Sequence, residues 1–127
     1  MSKGPVISIV EDDAAVRAAT ENLVKSLGFD VYSFASAQEF LQSQGVAETA
    51  CLISDVQMPM MNGIELQTAL VERGLQIPTI FLTAFLDPTV KRRALDAGAI
   101  GFLTKPCSGK ILHQLIQDAI RQGGENA

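Results

Sequence analysis

Cys51-Leu52-Ile53-Ser54-Asp55 runs straight into Val56-Gln57-Met58-Pro59 and then Asn62-Gly63. The first five residues read as a buried strand, and the Asp55 carboxylate closes it where a loop with proline and glycine opens. In α/β sheets the space outside the carboxyl end of a strand is where reactive groups and ligands collect. Three further groups stand at comparable places along the chain: the acids Glu11-Asp12, the Thr83 hydroxyl and the Lys105 ammonium. Together they point to an aspartate that accepts a phosphoryl group.

Working outward, five short apolar runs recur, at 6–10, 31–34, 51–54, 79–82 and 101–103. Most are continuously apolar, which is how strands covered on both faces of a parallel sheet read. Helical spacing fills the intervals. Val16, Leu23, Val24 and Leu27 form a stripe before Gly28; Ile64, Leu66, Leu70 and Val71 precede Gly74; Val90, Ala94, Leu95 and Ala97 precede Gly98. A glycine at each of these stops fits a left-handed C-terminal cap. Ser36-Ala37-Gln38-Glu39 matches a capping box, Asp87-Pro88 sets a capping acid before a proline at the first helical position, and Ser108 caps a last helix bearing Ile111, Leu112, Leu115, Ile116 and Ala119.

The pattern is βα repeated five times. Right-handed crossovers make this an α/β fold with a single five-stranded parallel sheet, doubly wound and flavodoxin-like, in strand order 2-1-3-4-5. That order makes strands one and three neighbours, so Glu11-Asp12-Asp13 comes beside Asp55, with Thr83 and Lys105 on the same rim.

A chain of 127 residues is expected to be one domain over 1–127, able to bury roughly two-thirds of its unfolded surface. Its core spans about 6–120, with 121–127 a frayed polar tail or the start of a linker. The formal charge of −4 disfavours nucleic acid and anionic membranes as partners of the surface as a whole. Lys91-Arg92-Arg93 is the one basic cluster and reads as a solvated helix face. No apolar stretch approaches the roughly 20 residues of a membrane span. Met1-Ser2-Lys3-Gly4-Pro5 shows no signal-peptide pattern, and Cys51 and Cys107 stand too far apart in sequence for a CxxC motif, so a reducing cytoplasm is expected.

Charge decides the chemistry of the rim. Glu11, Asp12 and Asp55 against Lys105 leave a formal −2 in a small cleft, and like charges so close raise carboxylate pKa values unless something neutralises them. A divalent cation does so, and an all-oxygen site suits Mg²⁺, with Mn²⁺ or Ca²⁺ as substitutes. No histidine or thiolate lies at these strand ends, which argues against zinc. Asp55 would then be a nucleophile toward phosphorus. Phosphoryl transfer needs mainly alignment and neutralisation of the equatorial oxygens, which the metal, Lys105, and Thr83 with the Ala84 amide would share.

Val10-Glu11-Asp12-Asp13, Asp55-Val56-Gln57-Met58-Pro59, Asn62-Gly63, Leu82-Thr83-Ala84 and Lys105-Pro106, in this order, resemble the receiver domain of bacterial two-component response regulators. The resemblance runs over 6–120. It implies that a sensor histidine kinase or phosphotransfer protein donates phosphate to Asp55. It implies that Glu11, Asp12, Asp55 and the Gln57 backbone carbonyl hold Mg²⁺, and that the Lys105-Pro106 peptide bond is cis. Glu11 departs from the commoner aspartate, its extra methylene still reaching the metal. Asp13 reads as a helix-capping acid or as an acid standing behind the metal ligands. Thr83 and Phe102 would be the coupled hydroxyl–aromatic switch, an inward turn of the ring following movement of Thr83. The readout would be the face of helix four, strand five and helix five, including Lys91, Arg92 and His113, where such domains form homodimers. Val16-Arg17 and the Gly-Ala-Ile-Gly-Phe approach to strand five are similar to receivers that precede LuxR-type output domains, so a transcriptional output is implied, with no direct binding of nucleic acid by this domain.

Phe85 and Gln57 each lie two residues beyond a site residue, where Phe85 would obstruct an attacking water. Three other readings compete with this one. A haloacid-dehalogenase-type phosphatase uses Asp-x-Asp, but here the second position is Gln57, which cannot donate and recover a proton; turnover of an external substrate is not expected. A flavin or nucleotide module would need a glycine-rich loop after a strand, and none follows. A receiver acting unphosphorylated, by contact alone, would have no use for the intact acidic group and lysine.

Overall fold

The computed structural model describes residues 5–105 and 107–125, with side chains through 121. Five strands, β1 (Val6–Val10), β2 (Asp30–Phe34), β3 (Thr49–Asp55), β4 (Thr79–Thr83) and β5 (Gly101–Thr104), form one parallel sheet in the order β2-β1-β3-β4-β5. Each strand matches an expected apolar run to within two residues at either end. β1 and β4 are buried along their whole length, while β2, at the edge, is not.

Side chains that alternate along the strands divide the core in two. Ile7, Ile9, Cys51, Ile53, Ile80 and Leu82 face helices α1 (Ala14–Ser26) and α6 (Gly109–Glu125), and pack on Val24, Leu112, Ile116 and Ala119. Val10 and Leu52 face α2 (Ala37–Gln42), α3 (Gly45–Glu48) and α4 (Gly63–Glu72) through Phe40, Val46, Leu66 and Leu70. A smaller cluster of Val56, Phe81, Ala94, Ala99 and Phe102 seats α5 (Pro88–Asp96).

Six helices stand where five were expected. The second crossover breaks at Ser43, whose extended backbone (φ −86°, ψ 160°) ends α2 before the short α3 begins. The expected helix stops are observed: Gly28, Gly74 and Gly98 have φ of 98°, 75° and 105°, the left-handed geometry that glycine adopts without steric cost. Asp13, Asp87 and Ser108 cap their helices as expected. The Ser36 box closes differently. Ser36 accepts from the Glu39 amide, but Glu39 reaches the Ala35 amide instead of that of Ser36. A complete capping box lies instead at Asn62 and Glu65.

Four expected stripe residues are not in the core: Val71, Leu95, Ala97 and Ile111 are exposed. Helical periodicity marks the side of a helix that can be buried, but only the neighbouring elements decide how far round the cover extends.

Candidate functional site

The rim is built by the carboxyl ends of β1, β3, β4 and β5. β3 delivers Asp55 half-buried, with its carboxylate turned back over the loop, Oδ1 accepting from the Gln57 amide at 3.2 Å. The loop is clamped from beneath: the Gly63 amide donates to Val56 O at 2.8 Å. A Cβ at Gly63 would strike the Asp55 carbonyl oxygen and come within 2.8 Å of the Phe81 ring. Asn62-Gly63 is therefore a matched pair, one residue capping α4 and the other letting α4 approach the end of β3.

β1 delivers Glu11 and Asp12. Glu11 is buried and Asp12 exposed. Glu11 is fixed on all sides: its amide donates to Phe34 O, Oε2 accepts from the Asp13 amide at 3.2 Å, and its carbonyl accepts from Arg17 Nη1 at 2.8 Å. Oε1 accepts from Lys105 Nζ in a short ion pair. The same ammonium reaches Asp55 Oδ2 at 3.1 Å. Lys105 thus joins β1, β3 and the end of β5, and its own amide donates to Thr83 O at 2.8 Å, adding β4.

The electrostatics follow from this crowding. Burial pushes the Glu11 carboxyl above the usual range despite the Lys105 hydrogen bond, and the Asp55 charge pushes the same way. For Lys105, burial alone would lower the pKa; hydrogen bonds and attraction from Glu11 and Asp55 outweigh it and hold the ammonium above its ordinary value. One lysine serves two acids and leaves a formal −2 among Glu11, Asp12, Asp55 and itself. Ligand oxygens of Glu11, Asp12 and Asp55 all lie within 4.8 Å of one another. A hard divalent cation fits this all-carboxylate set.

Thr83 is buried, its hydroxyl accepting from the Phe85 amide at a long 3.4 Å, and Ala84 beside it is exposed. Phe102 is buried, its ring packed at 6.1 Å and 50° to that of Phe81; the ring already lies inward. Phe85 is 70% exposed, and Met60, with φ 71°, is more exposed still. The site thus gathers Glu11, Asp12, Asp55, Thr83 and Lys105. The cis Lys105-Pro106 bond expected from sequence lies outside the described residues, since Pro106 is not among them.

His113 stands apart from the expected readout face. The His113 ring meets Phe29 edge-on at 5.8 Å, next to the start of β2, so it lies on the flank of α6 away from α5. Arg17, by contrast, is a site support that the residue pattern did not single out. Its signal is spacing: Asp13 caps α1, and the residue one turn later faces back over the strand end.

A family model described as the response regulator receiver domain matches residues 7–117. The chain is 44% identical over 125 residues to the response regulator protein TmoT of Ectopseudomonas mendocina, covering 96% of this chain and 57% of that protein. It is 36% identical over 116 residues to the transcriptional regulatory protein FixJ of Bradyrhizobium diazoefficiens, covering 91% of this chain and 57% of FixJ. Among solved structures, response regulator StyR superposes with a TM-score of 0.88 at 38% identity, over 97% of this chain and 62% of that one. FixJ-N superposes at 0.83 and 29% identity, over 94% and 96%. The chain belongs to the receiver domain family of two-component response regulators, whose members are phosphoacceptors. It spans about half the length of the curated relatives it matches. No helix among the described residues is long and apolar enough to cross a membrane.

Proposed function

We propose that Asp55 is the phosphoacceptor, taking a phosphoryl group from the phosphohistidine of a sensor kinase or phosphotransfer protein. The observation that carries this is the position of Lys105, whose ammonium bridges Asp55 Oδ2 and the buried Glu11. In the transfer an Asp55 oxygen bonds to phosphorus as the phosphorus–nitrogen bond of the donor breaks, and the imidazole leaves. Lys105 stands where it neutralises charge on the transferred group, which is what a loose phosphoryl transition state needs most. Thr83 and the Ala84 amide, at the end of β4, would take another oxygen.

Asp12, Asp55 and Glu11, with the Gln57 carbonyl, would hold Mg²⁺, which when bound supplies charge neutralisation and a fixed orientation for the phosphoryl oxygens. Glu11 keeps one oxygen on Lys105 and the other on the Asp13 amide, so it sets the lysine as well as adding charge. Gln57 holds no proton to trade, and external turnover is not part of this reading. The domain would act in the cytoplasm.

The signal would pass from Thr83 to the α5–β5–α6 face. Thr83 shifts toward the phosphoryl group, and Phe102, already inward, repacks with Phe81 and Ala94 under α5. Lys91 and Arg92 belong to that face, through which two copies would dimerise or a transcriptional output domain would be controlled. Phe85 would slow hydrolysis by overhanging Asp55.

Incubation with acetyl phosphate and Mg²⁺, read by intact mass, tests the proposal. A phosphoryl adduct that disappears in Asp55→Asn and on chelation of the metal is expected. An adduct that survives the substitution would sink it.

A further inference from the structure

α4 and α5 end in the same way. In each, the amide of the glycine after the cap bonds three residues back, and the next amide reaches a carbonyl five back: Gly74 to Val71 O and Leu75 to Leu70 O in α4, Gly98 to Leu95 O and Ala99 to Ala94 O in α5. This is the Schellman arrangement. The α5 cap differs in the source of the second hydrogen bond to its shared carbonyl. In α4 the Arg73 amide also donates to Leu70 O, whereas Ala94 O accepts, at 3.2 Å, from Nε2 of Gln67 on α4. A carbonyl has two lone pairs, and here both are used.

Gln67 is an unusual residue to find there. It is only 5% exposed, and its Oε1 makes no hydrogen bond among the described residues. Reversing the amide would set oxygen against the Ala94 oxygen, so the donor has to face α5. A buried amide with one end unsatisfied is costly, so the satisfied end is where a task for Gln67 is to be sought.

The surroundings indicate the task. The C-terminal ends of α4 and α5 border a cleft of about 640 Å³, lined in part by Gln67, Leu70, Val71, Ala97 and Gly98. Among the described residues, Gln67 to Ala94 is the one side-chain hydrogen bond between the two helices. Apolar anchorage of α5 is slight: Ala94 is its one buried residue, with Val90 half-buried. The opposite end of α5, capped by Asp87, follows the exposed Ala84, Phe85 and Leu86 directly from Thr83.

We propose that Gln67 is a positioning residue that pins the C-terminal cap of α5 to α4, so that α5 answers phosphorylation by pivoting about Ala94 rather than by moving as a whole. The α5 N-terminus, nearest the site, swings; the cap stays. This rests on Asp55 and Thr83 acting as proposed above. It also gives α4, which begins at the site through Asn62-Gly63, a hold on both ends of the response.

Site-resolved amide exchange by NMR, with and without beryllofluoride as a phosphoryl mimic, provides the test. In the unmodified protein, exchange should change at 87–91 on adding the mimic and stay the same at Ala97, Gly98 and Ala99. In Gln67→Leu, which removes the donor and the unpartnered oxygen together, those three amides should exchange faster in the resting state, on the order of fivefold, the worth of one net hydrogen bond. The urea midpoint should not fall, because Ala94 O keeps the Ala99 amide, and acetyl phosphate should still load Asp55. Cap amides that exchange at the unmodified rate in Gln67→Leu, or a cap that responds to the mimic as strongly as 87–91 in the unmodified protein, would overturn the pivot. If the unmodified protein takes no phosphoryl group, the reading of Asp55 fails instead, and the resting-state comparison still decides whether Gln67 pins the cap. Should Gln67→Leu not fold, Gln67→Met offers the same loss of the donor in a flexible side chain.

Discussion

α6 and α5, the helices that follow and precede β5 in the chain, are held by different means. α6 drives Leu112, Ile116 and Ala119 into the larger core, against Ile7, Ile9, Ile53 and Ile80. α5 buries Ala94 and part of Val90, and relies otherwise on an acidic cap at one end and a shared carbonyl at the other. Apolar area buried translates into stability at about 25 cal/mol per Å², so the two helices differ greatly in what it takes to move them. A switch needs one part that stays and one that shifts at modest cost. Here the part proposed to shift follows Thr83 by a few residues.

The contrast can be broken at several levels. Leu112→Ala should cost about 2–5 kcal/mol of unfolding free energy, the usual range for a leucine truncated in a core. Urea denaturation would measure it, and a loss below about 1 kcal/mol would remove α6 as the anchor.

The same core holds Cys51, whose thiol burial pushes from 9.0 to about 12. A folded-state pKa raised above the unfolded one means the native state keeps a proton that the unfolded state has lost. Stability is therefore full below pH 9 and falls as pH rises toward 12. Lys105, also raised, adds to the fall above 10.5. Comparing Cys51→Ala with the parent isolates the cysteine: the variant should lose less stability across this window, and parallel curves would contradict the assignment.

On α5 the effects should be smaller. Asp87 accepts from the Thr89 and Val90 amides, and Asp87→Ala should cost about 1 kcal/mol, with faster amide exchange confined to the first turn of α5. If exchange instead rises throughout α5, the two ends are not separately held. Leu95→Ala removes an exposed side chain and should stay within about 0.5 kcal/mol. A large loss there would mean that α5 has apolar cover in solution.

Strand positions and helix ends were legible because they depend on local chemistry: apolar runs, capping acids, and glycine where φ turns positive. Which side chains end up covered was not local. Val71, Leu95 and Ile111 fit the periodicity and are exposed, because no element lies over that part of their helices. The candidate site was legible as a set of strand ends, since β topology alone brings Glu11, Asp12, Asp55, Thr83 and Lys105 to one rim. Its internal pairing was not. The Glu11–Lys105 contact joins residues 94 apart in sequence, and depends on the extra methylene of Glu11 reaching toward the lysine. Gln67 gave no signal at all, because a glutamine inside a helix reads as solvent-facing until the approach of α5 is known.

The central claim is that a phosphoryl group is carried at Asp55 and felt first at the near end of α5. Borohydride reduction after loading with acetyl phosphate and Mg²⁺ tests the first half directly, since it converts an aspartyl phosphate to homoserine that peptide mass mapping can place. Homoserine at position 55, with no homoserine at 12 and no 2-amino-5-hydroxyvaleric acid at 11, is the predicted result. Homoserine at Asp12, or an unreduced Asp55 in protein that carries the phosphoryl mass, would contradict it.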